Sequence, residues 1–119
     1  GNEMNAKRAE KLLKIAQYYG EEKQVCKLIE ELGEATSAAS ELLMRLTFRE
    51  DSGKKKDIQA RLEHLAAELA DVQNVTEQVI ALFGLELAFK VARQAGIDKT
   101  LKRICDAEGG EPDGPDGAA

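Results

Sequence analysis

An all-α, antiparallel helical bundle of four to five helices, completed by oligomerisation, is the fold this sequence predicts. Apolar residues recur at helical spacing along nearly the whole chain, no stretch of useful length alternates as a strand does, and the connections between helical runs are short. The expected organisation is one domain over residues 1–106, followed by a disordered tail over 107–119.

The first helix is expected from Asn5 to Tyr19, with Ala6, Ala9, Leu12, Leu13, Ile15, Ala16 and Tyr19 at helical spacing and Gly20 as its stop. A second helix starts near Glu21, whose acidic first turn suits the helix dipole, and runs to about Thr47. Its apolar stripe reads Val25, Leu28, Ile29, Leu32, Ala35, Ala39, Leu43 and Leu46. Residues 48–56 have turn composition with a basic run, Lys54-Lys55-Lys56, and read as a loop. Asp57 is placed to cap a third helix from about Ile58 to Phe83, with Gly84 after it. Leu85 to Ala95 continues helical, Gly96 weakens the pattern, and Asp98 is placed to cap a last short helix through Asp106. From Ala107 onward Gly, Pro and Asp dominate, a composition that buries nothing.

Charge narrows the function classes. The 119 residues carry 22 acidic against 17 basic side chains, a formal net charge of -5, whereas a nucleic-acid coat or an anionic-membrane binder wants a basic face. No run approaches the roughly 20 apolar residues of a membrane span. Neither nucleic acid nor membrane is therefore an expected partner. Cys26 and Cys105 show no metal-ligand spacing and read as small, partly buried apolar residues in a reducing, cytoplasmic setting.

Two short acidic blocks stand out, Glu30-Glu31-Leu32-Gly33-Glu34 and Glu68-Leu69-Ala70-Asp71. Carboxylates three residues apart share a helix face, so two such helices side by side gather four of them. Bare, the group repels itself, and a hard divalent cation removes the objection; Mg²⁺ held by carboxylates usually also touches substrate phosphates. At 100° per residue the third helix collects Ile58, Leu62, Leu65, Leu69, Val72, Val75, Val79 and Phe83 on one broad side. Glu68 falls inside that sector and Asp71 at its margin. An unpaired charge there costs several kcal/mol, so a cation, an arginine or a metal must compensate Glu68.

On the second helix Glu31 lies at the stripe's edge, Glu34 farther round, and Glu30 points mostly away. Glu31 and Glu34 are thus the expected inner ligands and Glu30 an auxiliary. Small residues beside them, Gly33, Ala35, Ser37, Ala38 and Ala39, leave room for a close helix or a ligand. A di-iron bundle needs Glu-x-x-His on two helices, and the single histidine, His64, has Arg61 three residues before it. His64 shares a face with Glu68 and Asp71, where hydrogen bonding or solvation is its expected role. Solvated surface charge is the plainer reading of either acidic pair taken alone.

These blocks resemble the Glu-Glu-x-x-Glu and Glu-x-x-Asp signature of the all-α nucleoside triphosphate pyrophosphohydrolases. That group includes MazG proteins, dimeric dUTPases and phosphoribosyl-ATP pyrophosphohydrolases. The small MazG-like proteins are the nearest in pattern: Tyr19-Gly20, Gln24 and Leu28-Ile29-Glu30-Glu31 look like their entry to the first metal helix. Glu68-Leu69-Ala70-Asp71-Val72 with Glu77-Gln78 looks like the second, and Lys99, Lys102, Arg103 and Ile104 resemble their basic cluster. The likeness spans roughly residues 12–106. The interval from Glu34 to Glu68 is longer than is usual in that group.

The resemblance implies hydrolysis of nucleoside triphosphates between the α and β phosphates, giving a monophosphate and pyrophosphate. It implies Mg²⁺, or Mn²⁺ in its place, on Glu31, Glu34, Glu68 and Asp71, with Glu30 and Glu31 catalytic and Glu30 supporting the site or orienting water. Lys99 and Arg103 are expected to contact phosphate and Asn74 a base or ribose; an exposed basic turn and a polar helix face are their plainer readings. A homodimer or homotetramer is the expected assembly. The rival expectation is a non-catalytic helical interaction module that retains the fold, and a carboxylate-bridged iron protein is a weaker third. No serine–histidine or cysteine–histidine pair and no Gly-rich phosphate loop competes.

Overall fold

Gly20 and Gly84 punctuate the chain, and both have the positive φ that side-chain-bearing residues avoid, +85° and +66°. The computed structural model of the protein describes residues 2–48 and 55–109. Every regular element among them is helical: α1 (Asn2–Tyr19), α2 (Glu21–Thr47), α3 (Lys55–Phe83) and α4 (Glu86–Ala107). The all-α class is as the sequence predicts. By packing, the chain divides into two units, Gly1–Gly84 and Leu85–Ala119.

The end of α1 and the start of α2 fall where the sequence places them, with Gly20 alone between the two helices. Its φ and ψ of 85° and 172° lie in a region open essentially to glycine. The Gly20 N–H still donates to the Ala16 carbonyl at 2.8 Å, and its own carbonyl accepts from Gln24 at 3.0 Å. Backbone bonding thus continues through a one-residue reversal. Glu21 and Glu22 lie in the first turn of α2 and Arg45 in its last, both favourable to the helix dipole.

In the first unit α2 and α3 make the most extensive contact, α1 packs on α3, and α1 touches α2 less. On α2 the line withdrawn from solvent runs through Gln24, Leu28, Glu31, Ala35, Ala38, Leu42 and Arg45, with Glu41 half-buried beside it. On α3 they include Arg61, Leu65, Glu68, Val72, Val75, Val79 and Leu82. Both lines advance by alternate steps of four and three, the seam of a coiled-coil pair. From Val75 to Leu82 every residue of α3 is buried or half-buried. Among the described residues the buried apolar ones are few: Leu12, Ala16, Ala38, Leu42 and Val75.

Ion pairs mark how α2 and α3 align. Arg45 Nε donates to Asp57 Oδ2, Arg61 Nη1 donates to Glu41 Oε2 at 2.7 Å, and Arg61 Nε lies 3.7 Å from Asp57 Oδ1. Residues early in α3 meet residues late in α2, so the two helices run antiparallel.

Several expectations are corrected. Helix α3 begins at Lys55, so Lys55 and Lys56 are helical and Asp57 lies in the first turn instead of capping it. The Asp57 carboxylate reaches Arg45 and Arg61. Gly96 does not interrupt α4, and Asp98 is an interior residue accepting from Gln94 at 3.1 Å. The buried line of α2 is rotated away from the expected stripe, leaving Val25, Ile29, Leu32, Leu43 and Leu46 exposed. On α3, Leu62, Leu69 and Phe83 are likewise exposed. On α3 the rest of the expected stripe, Ile58, Leu65, Val72, Val75 and Val79, is withdrawn from solvent, whereas on α2 burial follows the facing helix and leaves the more apolar flank outside the seam. Cys26 is exposed, not partly buried, while Cys105 is half-buried. The tail begins after a helix that still holds Ala107, and residues 49–54 and 110–119 lie outside the described residues.

Candidate metal centre

Helix α2 places Glu31 in the seam, where it is 5% exposed, and the antiparallel α3 brings Glu68 and Asp71 to it. One carboxylate oxygen from each of these three lies within 4.8 Å of the other two. A second group meeting the same limit is Glu30, Glu31 and Glu34, all from α2. Glu31 belongs to both groups and links them. Glu68 is half-buried, whereas Glu30, Glu34 and Asp71 are exposed. The site is therefore a carboxylate cluster opening outward from one buried member.

The two oxygens of Glu31 have different surroundings. Oε1 lies 3.2 Å from Lys27 Nζ, which also donates to Glu30 Oε1 at 3.3 Å. Oε2 is shut off from solvent and has no hydrogen-bond partner, and Glu68 Oε2 is in the same condition. Leaving a buried acceptor unsatisfied costs about 1–3 kcal/mol, more for a charged one. Two such oxygens in one cluster of like charge is an arrangement that a further cation relieves. An all-oxygen, all-carboxylate donor set matches hard divalent ions of the Mg²⁺, Ca²⁺ and Mn²⁺ kind. The residues present thus fit the ion that the resemblance implies.

Lys27 is held charged by the cluster. Its pKa is raised, first by the hydrogen bond to Glu31 and then by that to Glu30, with their charges adding to the effect. The ammonium supplies one positive charge on the Glu30 side and leaves the Glu68 side without a basic contact from it. Arg61, the arginine closest along α3 to Glu68, is committed to Glu41 and Asp57.

Of the residues the sequence singles out, Glu31, Glu68 and Asp71 come together across two helices, and Glu30 and Glu34 join through Glu31. His64 is exposed on α3 and belongs to neither group. Asn74 is exposed on α3, and Lys99 and Arg103 are exposed on α4, in the second unit. At Gly33 an added Cβ meets nothing within 4 Å, so that glycine is not holding a neighbouring helix close in this chain. Ala38 does sit in the seam, and Ala35 half-buried beside it.

Sequence reasoning missed Lys27 altogether and gave Gln24 no role beyond its place in the first-helix pattern. Lys27 stands three and four residues before Glu30 and Glu31, a spacing that places it on their face and was readable in advance. Gln24 is 2% exposed with its Oε1 unpartnered, a polar side chain at a seam position that apolar periodicity does not reveal. No protein-family model, no curated protein and no solved structure matches this chain.

Proposed function

We propose that this protein is a Mg²⁺-dependent nucleoside triphosphate pyrophosphohydrolase, cleaving between the α and β phosphates to release a monophosphate and pyrophosphate. The supporting observation is Glu31: a carboxylate buried in a helix seam, with one oxygen unpartnered, within reach of Glu68 and Asp71. The signature-like spacing of the two acidic blocks supplies the reaction class.

In this reading Glu31, Glu34, Glu68 and Asp71 hold Mg²⁺, with Mn²⁺ as a substitute. A bound divalent ion supplies charge neutralisation at the triphosphate and polarisation of a phosphoryl oxygen. Glu31 and Glu68 hold their oxygens on rigid helices, so little reorganisation is needed when the ion and the phosphates arrive. Glu30, exposed at the rim, accepts a proton from the attacking water or orients it. Lys99 and Arg103 contact phosphate and Asn74 the base or ribose. Exposed Ile29, Leu32, Leu43 and Leu69 give the first unit an apolar flank that a second copy covers, in a homodimer or homotetramer.

The test is a panel of ribo- and deoxyribonucleoside triphosphates with Mg²⁺, read as pyrophosphate and monophosphate by chromatography. Activity that disappears in Glu68→Gln supports the proposal. No turnover of any triphosphate by folded protein removes it. One observation favours the rival reading, a non-catalytic interaction module: Leu87, Val91 and Leu101 on α4 are 59–73% exposed. That module would turn over nothing and gain no thermal stability from Mg²⁺.

A further inference from the structure

We infer that Lys27 is a tethered counter-cation that holds the Glu30–Glu31 side of the carboxylate cluster and must withdraw for a divalent ion to bind at full strength. The inference rests on the cation site proposed above and concerns how that site is controlled.

Lys27 Nζ lies 3.2 Å from Glu31 Oε1 and 3.3 Å from Glu30 Oε1, so it bridges two of the three carboxylates that α2 contributes. Its side chain is 48% exposed while that of Glu31 is 6% exposed. The base therefore reaches inward from solvent to a buried acid, along a flexible four-carbon stem that offers it a route back out. Helical spacing alone brings Lys27 onto the face of these acids, as it brings Lys102 to Asp106. What sets Lys27 apart is that one of its acids is buried and shared with α3.

One ammonium cannot neutralise the cluster. It touches Oε1 of Glu31 and leaves Oε2 of both Glu31 and Glu68 without a partner. A divalent ion drawn to those oxygens meets the fixed positive charge of Lys27 and competes with it for Glu31. Removing Lys27 has two opposite consequences. The metal-free protein loses an attractive contact and its acids repel more strongly, while the ion loses a competitor and binds more tightly. A lysine that only orients Glu31 predicts weaker binding on removal, and a decorative surface lysine predicts no change.

The experiment is Mn²⁺ titration by calorimetry on the full chain, without nucleotide, paired with thermal melting in chelator. The variants are Lys27→Met, Lys27→Arg and Lys102→Met, the last breaking an exposed pair with Asp106 on α4. Lys27→Met is expected to bind Mn²⁺ about three- to tenfold more tightly and to melt lower in chelator. Lys27→Arg and Lys102→Met are expected to follow the parent in affinity. Should Lys27→Met not fold, Lys27→Gln takes its place with the same expectation. Equal or weaker binding by Lys27→Met overturns the inference while leaving the cation site standing. Tight binding by Lys27→Arg overturns it as well, because charge would not be the cause. If the parent chain binds no Mn²⁺ at millimolar concentration, the cation site itself falls, and the inference falls with it.

Discussion

Glu31 and Asp71 stand at matching positions of two antiparallel helices: the register that pairs Arg45 with Asp57 and Glu41 with Arg61 also sets residue 31 against residue 71. The acidic cluster and the ion pairs thus sit on one register, some three helical turns apart. Both features lie along one seam, and each depends on the same alignment.

Neutralising one acid of the cluster has opposite effects with and without metal. Glu68→Gln removes a charge from a crowded group, so in chelator its melting temperature rises by about 3–6 °C, the shift that ~1 kcal/mol produces in a domain of this size. Its affinity for Mn²⁺ falls about tenfold or more, since losing a ligand costs at least as much as losing a ligand's supporting partner. A lower melting temperature in chelator together with unchanged Mn²⁺ binding would contradict the cluster's proposed role.

The Arg61–Glu41 pair contributes to register more than to stability. Both side chains are part-exposed, so a double-mutant cycle with Arg61→Met and Glu41→Gln is expected to give a coupling of about 0.5–1 kcal/mol. Urea unfolding of the four proteins measures it. A coupling near zero would leave Arg45–Asp57 as the principal clamp.

Two glycines respond oppositely to alanine. Gly20→Ala forces a side chain into a φ of +85°, and a loss of about 1–3 kcal/mol is expected although no neighbouring atom obstructs the new methyl. Gly33→Ala, inside α2 with open space around it, is expected to gain about 0.5–1 kcal/mol from helix propensity. Urea midpoints decide both. A loss at Gly33 would show that another helix closes on that face in solution.

The pH dependence tied to Lys27 has a definite sign. Its pKa is raised in the folded chain, so its contribution is complete below the unfolded value of about 10.4 and is lost as pH climbs through the higher folded value. The difference in melting temperature between the parent and Lys27→Met, measured in chelator, should hold steady from pH 6 to 9 and narrow only above about pH 10.

The helices were legible because local signals mark their ends. Gly20 stops α1 and an acidic turn opens α2, and both boundaries fall as read. Asp57 misled because a capping residue and an ion-pair partner look identical in a one-dimensional string; the arginine that claims it, Arg45, is twelve residues away. The stripe of α3 is mostly where the sequence places it, whereas that of α2 is misplaced for a related reason. Apolar counting favours Ile29, Leu32 and Leu43, yet the seam runs through Gln24, Glu31 and Ala38, chosen by what α3 presents. Glu31 and Glu68 were visible as acids near an apolar face. That Glu31 joins two separate triads depends on the depth at which the helices meet, which spacing alone does not encode.

Because the charged clasps and the carboxylates share one register, a slip of α3 along α2 would unmake both together. Spectroscopic labels on the outward faces of these two helices would therefore report such sliding without touching the acids.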